Sequence, residues 1–201
     1  MPECKKDFTF LYKPNNMKSL FSLLFITCVS AASAQTVFQS LKPQMVKDWE
    51  RAKSYTLEYL NTMPADKYNY RPNDSVRSFS EQMLHLAAAD AGMVMIGTGS
   101  KDPKIPGIFF SRNLEKLPSA QSKDSVVYFV TTSYDFVINT LKNLTDLRFD
   151  EVVTQQMPAA VRSEARLVWL QKAFEHQTHH RGQCTIYIRM QGIRPPGEKL
   201  F

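Results

Sequence analysis

Apolar residues recur at three- and four-residue steps along four stretches of this chain, separated by turn-forming residues. Across 38–63, Leu41, Met45, Trp49, Ala52, Tyr55, Tyr59, Leu60 and Met63 make one stripe, the mark of a half-buried helix. Pro43 is tolerable only in a first turn, so this helix is predicted to start near it and to end at Pro64. Across 79–97 the stripe is Phe79, Met83, Leu86, Ala87, Met93 and Val94, with Ser78 or Ser80 as the predicted N-cap. A third helix is predicted over 123–143 behind Ser122, because that run is too long for one strand. The fourth covers 165–191 and stops at Gly192, with Pro195 and Pro196 behind it.

The stretches between read differently. Residues 98–120 carry Gly99, Pro103, Pro106, Gly107 and Pro118 and are predicted to be loop; 144–163 is predicted irregular. No segment shows sustained period-two alternation, and there is no internal repeat. The predicted fold is therefore all-α, a four-helix bundle with long connecting loops. Those connections leave room for a site at one end of the bundle.

The N-terminal segment stands apart from this pattern. Met17 and Lys18 precede an apolar run from Leu20 to Val29, and Ala32-Ser33-Ala34 supplies small residues at the expected cleavage position. That order predicts an export signal cleaved after Ala34, with Met17 as the expected start. Thr27 before Cys28 fits a lipidation site poorly. The expected organisation is a prefix and signal over 1–34 and a single domain over 35–201, exported to a periplasmic or extracellular destination, with no membrane-spanning segment left.

Charge then loses its interest. The chain of 201 residues has net charge +6, and removal of 1–34 takes four lysines and two acids with it, leaving +4. The remaining charges are scattered, whereas nucleic-acid binding needs a clustered basic face, so no nucleic-acid partner is expected. Cys184 is the only cysteine after Ala34, so the exported chain has no internal disulfide. A buried, inert thiol is the expectation for it.

The candidate chemistry lies in the four histidines, His85, His176, His179 and His180. His176 and His180 are spaced i, i+4, which sets both rings on one helix face. A third ring from His85 on the second helix would complete a three-histidine metal set with an open coordination position. Spacing leaves a second reading standing, in which these are hydrogen-bonded core histidines. His179 is a fallback ligand. Position 177 is Gln, so the metalloprotease H-E-x-x-H pattern is absent, as are G-x-S-x-G, a P-loop and G-x-G-x-x-G. Gln82 and Gln183 each lie about one turn from a histidine and could orient a metal-bound water or substrate. Arg181 is either an anion contact or half of a surface ion pair. Trp169, Phe174 and Tyr187 read as core. Gly182 suggests close packing or backbone approach near the site.

RSFSEQMLHLAAAD (77–90) and HQTHHRGQCTIYIRMQGIRPP (176–196) resemble the two signature segments of the DinB/YfiT-like family of metal-dependent enzymes. Ile188-Arg189 stands where the family has Leu-Arg, and RPNDSVRSF (71–79) fits as well, so the resemblance spans essentially 38–196. It implies a helical bundle in which His85, His176 and His180 bind a divalent metal, zinc or nickel. It also implies a small-molecule substrate, and similar families contain transferases and isomerases that use a low-molecular-weight thiol, while a water acidified on the metal would make the chain hydrolase-like. Such a thiol is scarce outside the cytoplasm, which sets the export signal against the transferase reading. Family members often pair as homodimers, which no feature of this sequence shows. The alternative function is a non-catalytic exported bundle that binds a metal or small molecule. A fourth protein ligand, His179 or Cys184, would favour it.

Overall fold

In the computed structural model, backbone is described for residues 17–100, 107–110, 114–145, 148–156 and 160–201, and side chains within the first helix from Gln39 onward. Four helices carry the fold: α1 (Met17–Thr62), α2 (Phe79–Thr98), α3 (Lys123–Asn143) and α4 (Arg166–Met190). The expected export signal falls on residues outside the described side chains. Among the described residues, no helix is long and apolar enough to cross a membrane.

Helix α1 departs from the sequence expectation at its start. It runs through Pro43 rather than beginning there. Proline in a helix interior removes one backbone bond and crowds the carbonyl four residues back. Here tertiary contacts hold the turn just before it. Gln39 Nε2 donates to the carbonyl of Thr145 at 2.9 Å, and Lys42 Nζ donates to that of Leu144 at 2.8 Å. Both tie α1 to the end of α3.

Helix α2 is the centre of the molecule. Ser78 caps it, its side chain accepting from the Glu81 backbone while Glu81 accepts from the Ser78 amide. Leu84, Leu86, Ala87, Ala91 and Val94 are fully buried, and α2 packs most extensively on α4 and then on α3. Helix α3 brings Val130, Val137 and Leu141 to this core behind its Ser122 cap, and α4 brings Leu170, Ala173 and Ile188. Trp49 of α1 meets Tyr134 and Phe174 edge-on, with ring centroids 5.7 and 5.3 Å away. At the far end α2 and α4 nearly touch: a side-chain carbon on Gly97 would lie 3.0 Å from Trp169 Cβ and 3.2 Å from the Arg166 carbonyl.

The segment predicted irregular over 144–163 contains a hairpin instead. Strands β1 (Val152–Gln156) and β2 (Val161–Ala165) pair antiparallel, with Val152 opposite Ala165 and Gln156 opposite Val161. Its residues are exposed or half-buried. A hairpin with no wholly buried face has no reason to alternate apolar and polar residues, so period two is missing from its sequence. The connection before α3 is built of tight turns at Gly107–Phe110, Leu114–Lys116 and Pro118–Ala120. They place Glu115 against α2.

Candidate metal centre

His85 lies mid-way along α2, and His176 and His180 lie one turn apart on α4, the helix packed closest to it. The ring centroids are 5.1 Å apart for His85 and His176, 4.7 Å for His85 and His180, and 4.3 Å for His176 and His180. Each ring offers a nitrogen lying within 4.8 Å of those of the other two.

The partners of the rings decide which nitrogen is offered. His85 Nδ1 donates to Glu115 Oε2 at 2.8 Å. The same carboxylate accepts from Arg77 Nε at 3.1 and 3.0 Å. For His180 the partner is Gln82, whose Oε1 lies 2.7 Å from Nδ1. The orientation of that amide follows from Tyr187. Its hydroxyl donates to the Arg77 carbonyl at 2.7 Å and accepts from Gln82 Nε2 at 3.2 Å. Gln82 must then accept from His180, which puts the imidazole proton on Nδ1. Both rings keep Nε2 as the free lone pair.

His176 faces Asp90. Its Nδ1 is 3.8 Å from Asp90 Oδ1, beyond hydrogen-bond reach, and both carboxylate oxygens and this nitrogen are buried without partners. Asp90 is wholly buried, and burial raises its pKa well above the ordinary carboxylate value, with Arg181 opposing. Orphaned polar atoms of this kind cost free energy in the folded chain. A cation among the three rings would offset that cost, so these residues fit a metal. Oriented imidazoles backed by carboxylate or amide acceptors are the usual surroundings of metal-bound histidine.

Electrostatics agree with neutral, ligand-competent rings. Burial, then repulsion from neighbouring histidines, pushes His176 down to about 4 and His180 down to about 3. Burial lowers His85 as well, with Arg77 adding to it and Glu115 opposing. No proton has to leave any of the three near neutral pH.

Other candidates from the sequence fall elsewhere. Gln82 holds the His180 ring through Oε1 and also lines the cleft beside it. Gln183 bonds through Nε2 to exposed His179 at 3.1 Å, while its Oε1 is buried and unpartnered. His179 therefore belongs to the rim. Cys184 is buried in the core, where desolvation pushes its thiol up, away from thiolate. Arg181 is neither an anion contact nor a surface ion pair. It is buried, donates to Gln177 Oε1 at 2.6 Å and stacks on Tyr55 with its guanidinium 4.6 Å from the ring centre. Gln177 is fully buried too and accepts from Tyr134. Gly182 is exposed and nothing approaches it, so the close packing expected there is absent.

Sequence reasoning missed Glu115 and Asp90. Asp90 carried a signal: an acid five residues after His85, inside an apolar helix. Glu115 carried none, because its contact depends on how the loop before α3 folds back. Beside His180 and Gln82 a cleft of about 460 Å³ opens to solvent, lined also by Arg71, Arg77, Lys116 and Gln183.

The fold has known counterparts. A DinB-like protein from Bacillus cereus ATCC 10987 superposes with a TM-score of 0.59 at 18% identity, covering 77% of this chain and 95% of that one. A DinB-like protein from Bacillus subtilis, YjoA, gives 0.54 at 20% identity, covering 79% and 96%. No curated protein matches the chain. The profile of the DinB family matches residues 34–200, and the chain belongs to that family.

Proposed function

We propose that His85, His176 and His180 hold one divalent ion, zinc or nickel, and that the chain is a metal-dependent enzyme of hydrolase or thiol-transferase type acting on a small molecule. One observation carries this reading: two of the Nδ1 atoms are held by Glu115 and Gln82, and the third faces buried, partnerless Asp90. That arrangement leaves the Nε2 lone pairs of His85 and His180, with a nitrogen of His176, for a single ion. Such an ion, when bound, makes a water or thiol ligand acidic enough to serve as a nucleophile near neutral pH.

The chain's own residues do the rest. Glu115 and Gln82 hold their rings in one tautomer, and Asp90 sets a buried carboxyl facing the third. Among the described residues neither His179 nor Cys184 joins the group as a fourth ligand. That favours an enzyme over the closed site expected of a non-catalytic binding bundle. The cleft beside His180 gives a substrate access. Export after cleavage near Ala34 remains part of the proposal, supported by the residue order at 17–34.

Metal content tests it. Protein purified without a polyhistidine tag is expected to carry about one divalent ion per chain, and a His176→Ala, His180→Ala variant none. A wild-type protein that stays metal-free after incubation with zinc and with nickel would sink the reading.

A further inference from the structure

The cleft beside the histidines has an unusual set of spare hydrogen-bond donors. Among the described residues Arg77 bonds only through Nε, to Glu115, and its two terminal nitrogens have no partner. Lys116 makes one contact, to Glu81 Oε1 at 2.9 Å. Arg71 contacts the Val76 carbonyl and the same Glu81. The nearby acids are already committed: Glu115 is shared by His85 and Arg77, and Glu81 by two cations and the α2 cap. Among the described residues lining the cleft, Asp74 is the remaining acid, and it stands on the exposed rim.

The place of Arg77 is the telling point. Its guanidinium rests on the carboxylate that orients His85, so it stands one residue removed from the three rings. With Nε held by Glu115, its terminal nitrogens are left for a group in the cleft beside the histidines. The free edge of a guanidinium matches two oxygens of one anionic group.

Resting on the metal reading above, we infer that the substrate carries an anionic oxygen group, a carboxylate or a phosphate, which the terminal nitrogens of Arg77 bind with Lys116 beside them, while the reacting end of the molecule faces His180. Arg77 is then a substrate-binding residue that sets specificity for anionic small molecules.

The test is calorimetric titration of succinate, inorganic phosphate and the uncharged succinamide into the full chain, with and without one equivalent of zinc. Zinc uptake is measured separately on the same samples. Wild-type protein is expected to bind succinate or phosphate and not succinamide, and the tighter of the two anions tells carboxylate from phosphate. Arg77→Gln is expected to weaken the preferred anion roughly tenfold or more. Arg77→Lys keeps the charge beside Glu115 but loses the fork, and is expected to weaken it by about threefold or more, which decides the matter should Arg77→Gln lose zinc. Succinamide binding as well as succinate, neither anion binding, or both variants binding like wild type would overturn the inference. Failure of zinc uptake alone would defeat the metal reading, and the zinc-free titrations would still decide the role of Arg77.

Discussion

Glu115 Oε2 and His85 Nδ1 meet at 2.8 Å, joining a tight turn in the loop before α3 to the middle of α2. The contact holds the imidazole in the tautomer that frees Nε2, and through Arg77 it couples the ring to the wall of the cleft. Glu115→Gln keeps the shape and removes the charge. It is expected to lower zinc affinity by about 10- to 100-fold, the usual cost of losing a ligand's orienting partner. Competition against a chromophoric chelator measures it, and unchanged affinity would show that Glu115 serves only Arg77.

Asp90 makes a trade between stability and binding. It is buried with neither oxygen partnered, and burial raises its pKa. Asp90→Asn removes a buried, unpartnered acid whose ionised form is disfavoured there, so the metal-free protein is expected to gain about 1 kcal/mol or more and melt at a higher temperature. Metal affinity is expected to fall by about tenfold or more in the same variant. Thermal unfolding with and without zinc reads both signs, and a variant that loses stability in both states contradicts the account.

The metal-free protein should be sensitive to mild acid. His176 and His180 are held at about 4 and about 3, against 6.5 in an unfolded chain. As pH falls below 6.5 the unfolded chain takes up protons that the folded chain refuses, so folding loses stability until the pH passes below the folded values. The contribution is whole above 6.5. Between about pH 7 and about pH 5, wild-type melting temperature is expected to fall more than that of the His176→Ala, His180→Ala variant. Parallel curves would show that these rings titrate normally.

Gly97 sets the distance between the C-terminal end of α2 and the start of α4. A methyl group there would meet Trp169 Cβ at 3.0 Å and the Arg166 carbonyl at 3.2 Å, atoms with little freedom to move aside. Gly97→Ala is expected to destabilise the fold by about 1–3 kcal/mol, more than its gain in helix propensity returns. Urea unfolding checks it, and a more stable variant would mean that the two helices separate easily.

The helices were legible because each repeats one physical demand, an apolar face, over many residues. Leu86, Ala87 and Val94 announce their burial by their spacing alone, Ser122 announces the start of α3, and of the two serines offered for α2 the structure uses Ser78. Pro43 misled because its local penalty was read without the contacts of Gln39 and Lys42 that hold the preceding turn to the end of α3. The hairpin at 152–165 was missed because neither strand buries a face, so nothing imposed alternation on its sequence. Arg181 was misjudged for a related reason. A charged residue reads as surface unless its partners are known, and here they are Gln177 and the face of Tyr55.

By itself the sequence determined the helical class of the fold, the start of α3, and the pairing of His176 with His180, because helix periodicity converts spacing directly into a shared face. Only the tertiary structure decided that His85 joins them, that Gln82 backs the His180 ring, and that Glu115 and Asp90 stand behind the other two. Those relationships run between elements far apart in the chain. They follow from helix packing and from the course of one loop, and no local pattern encodes either.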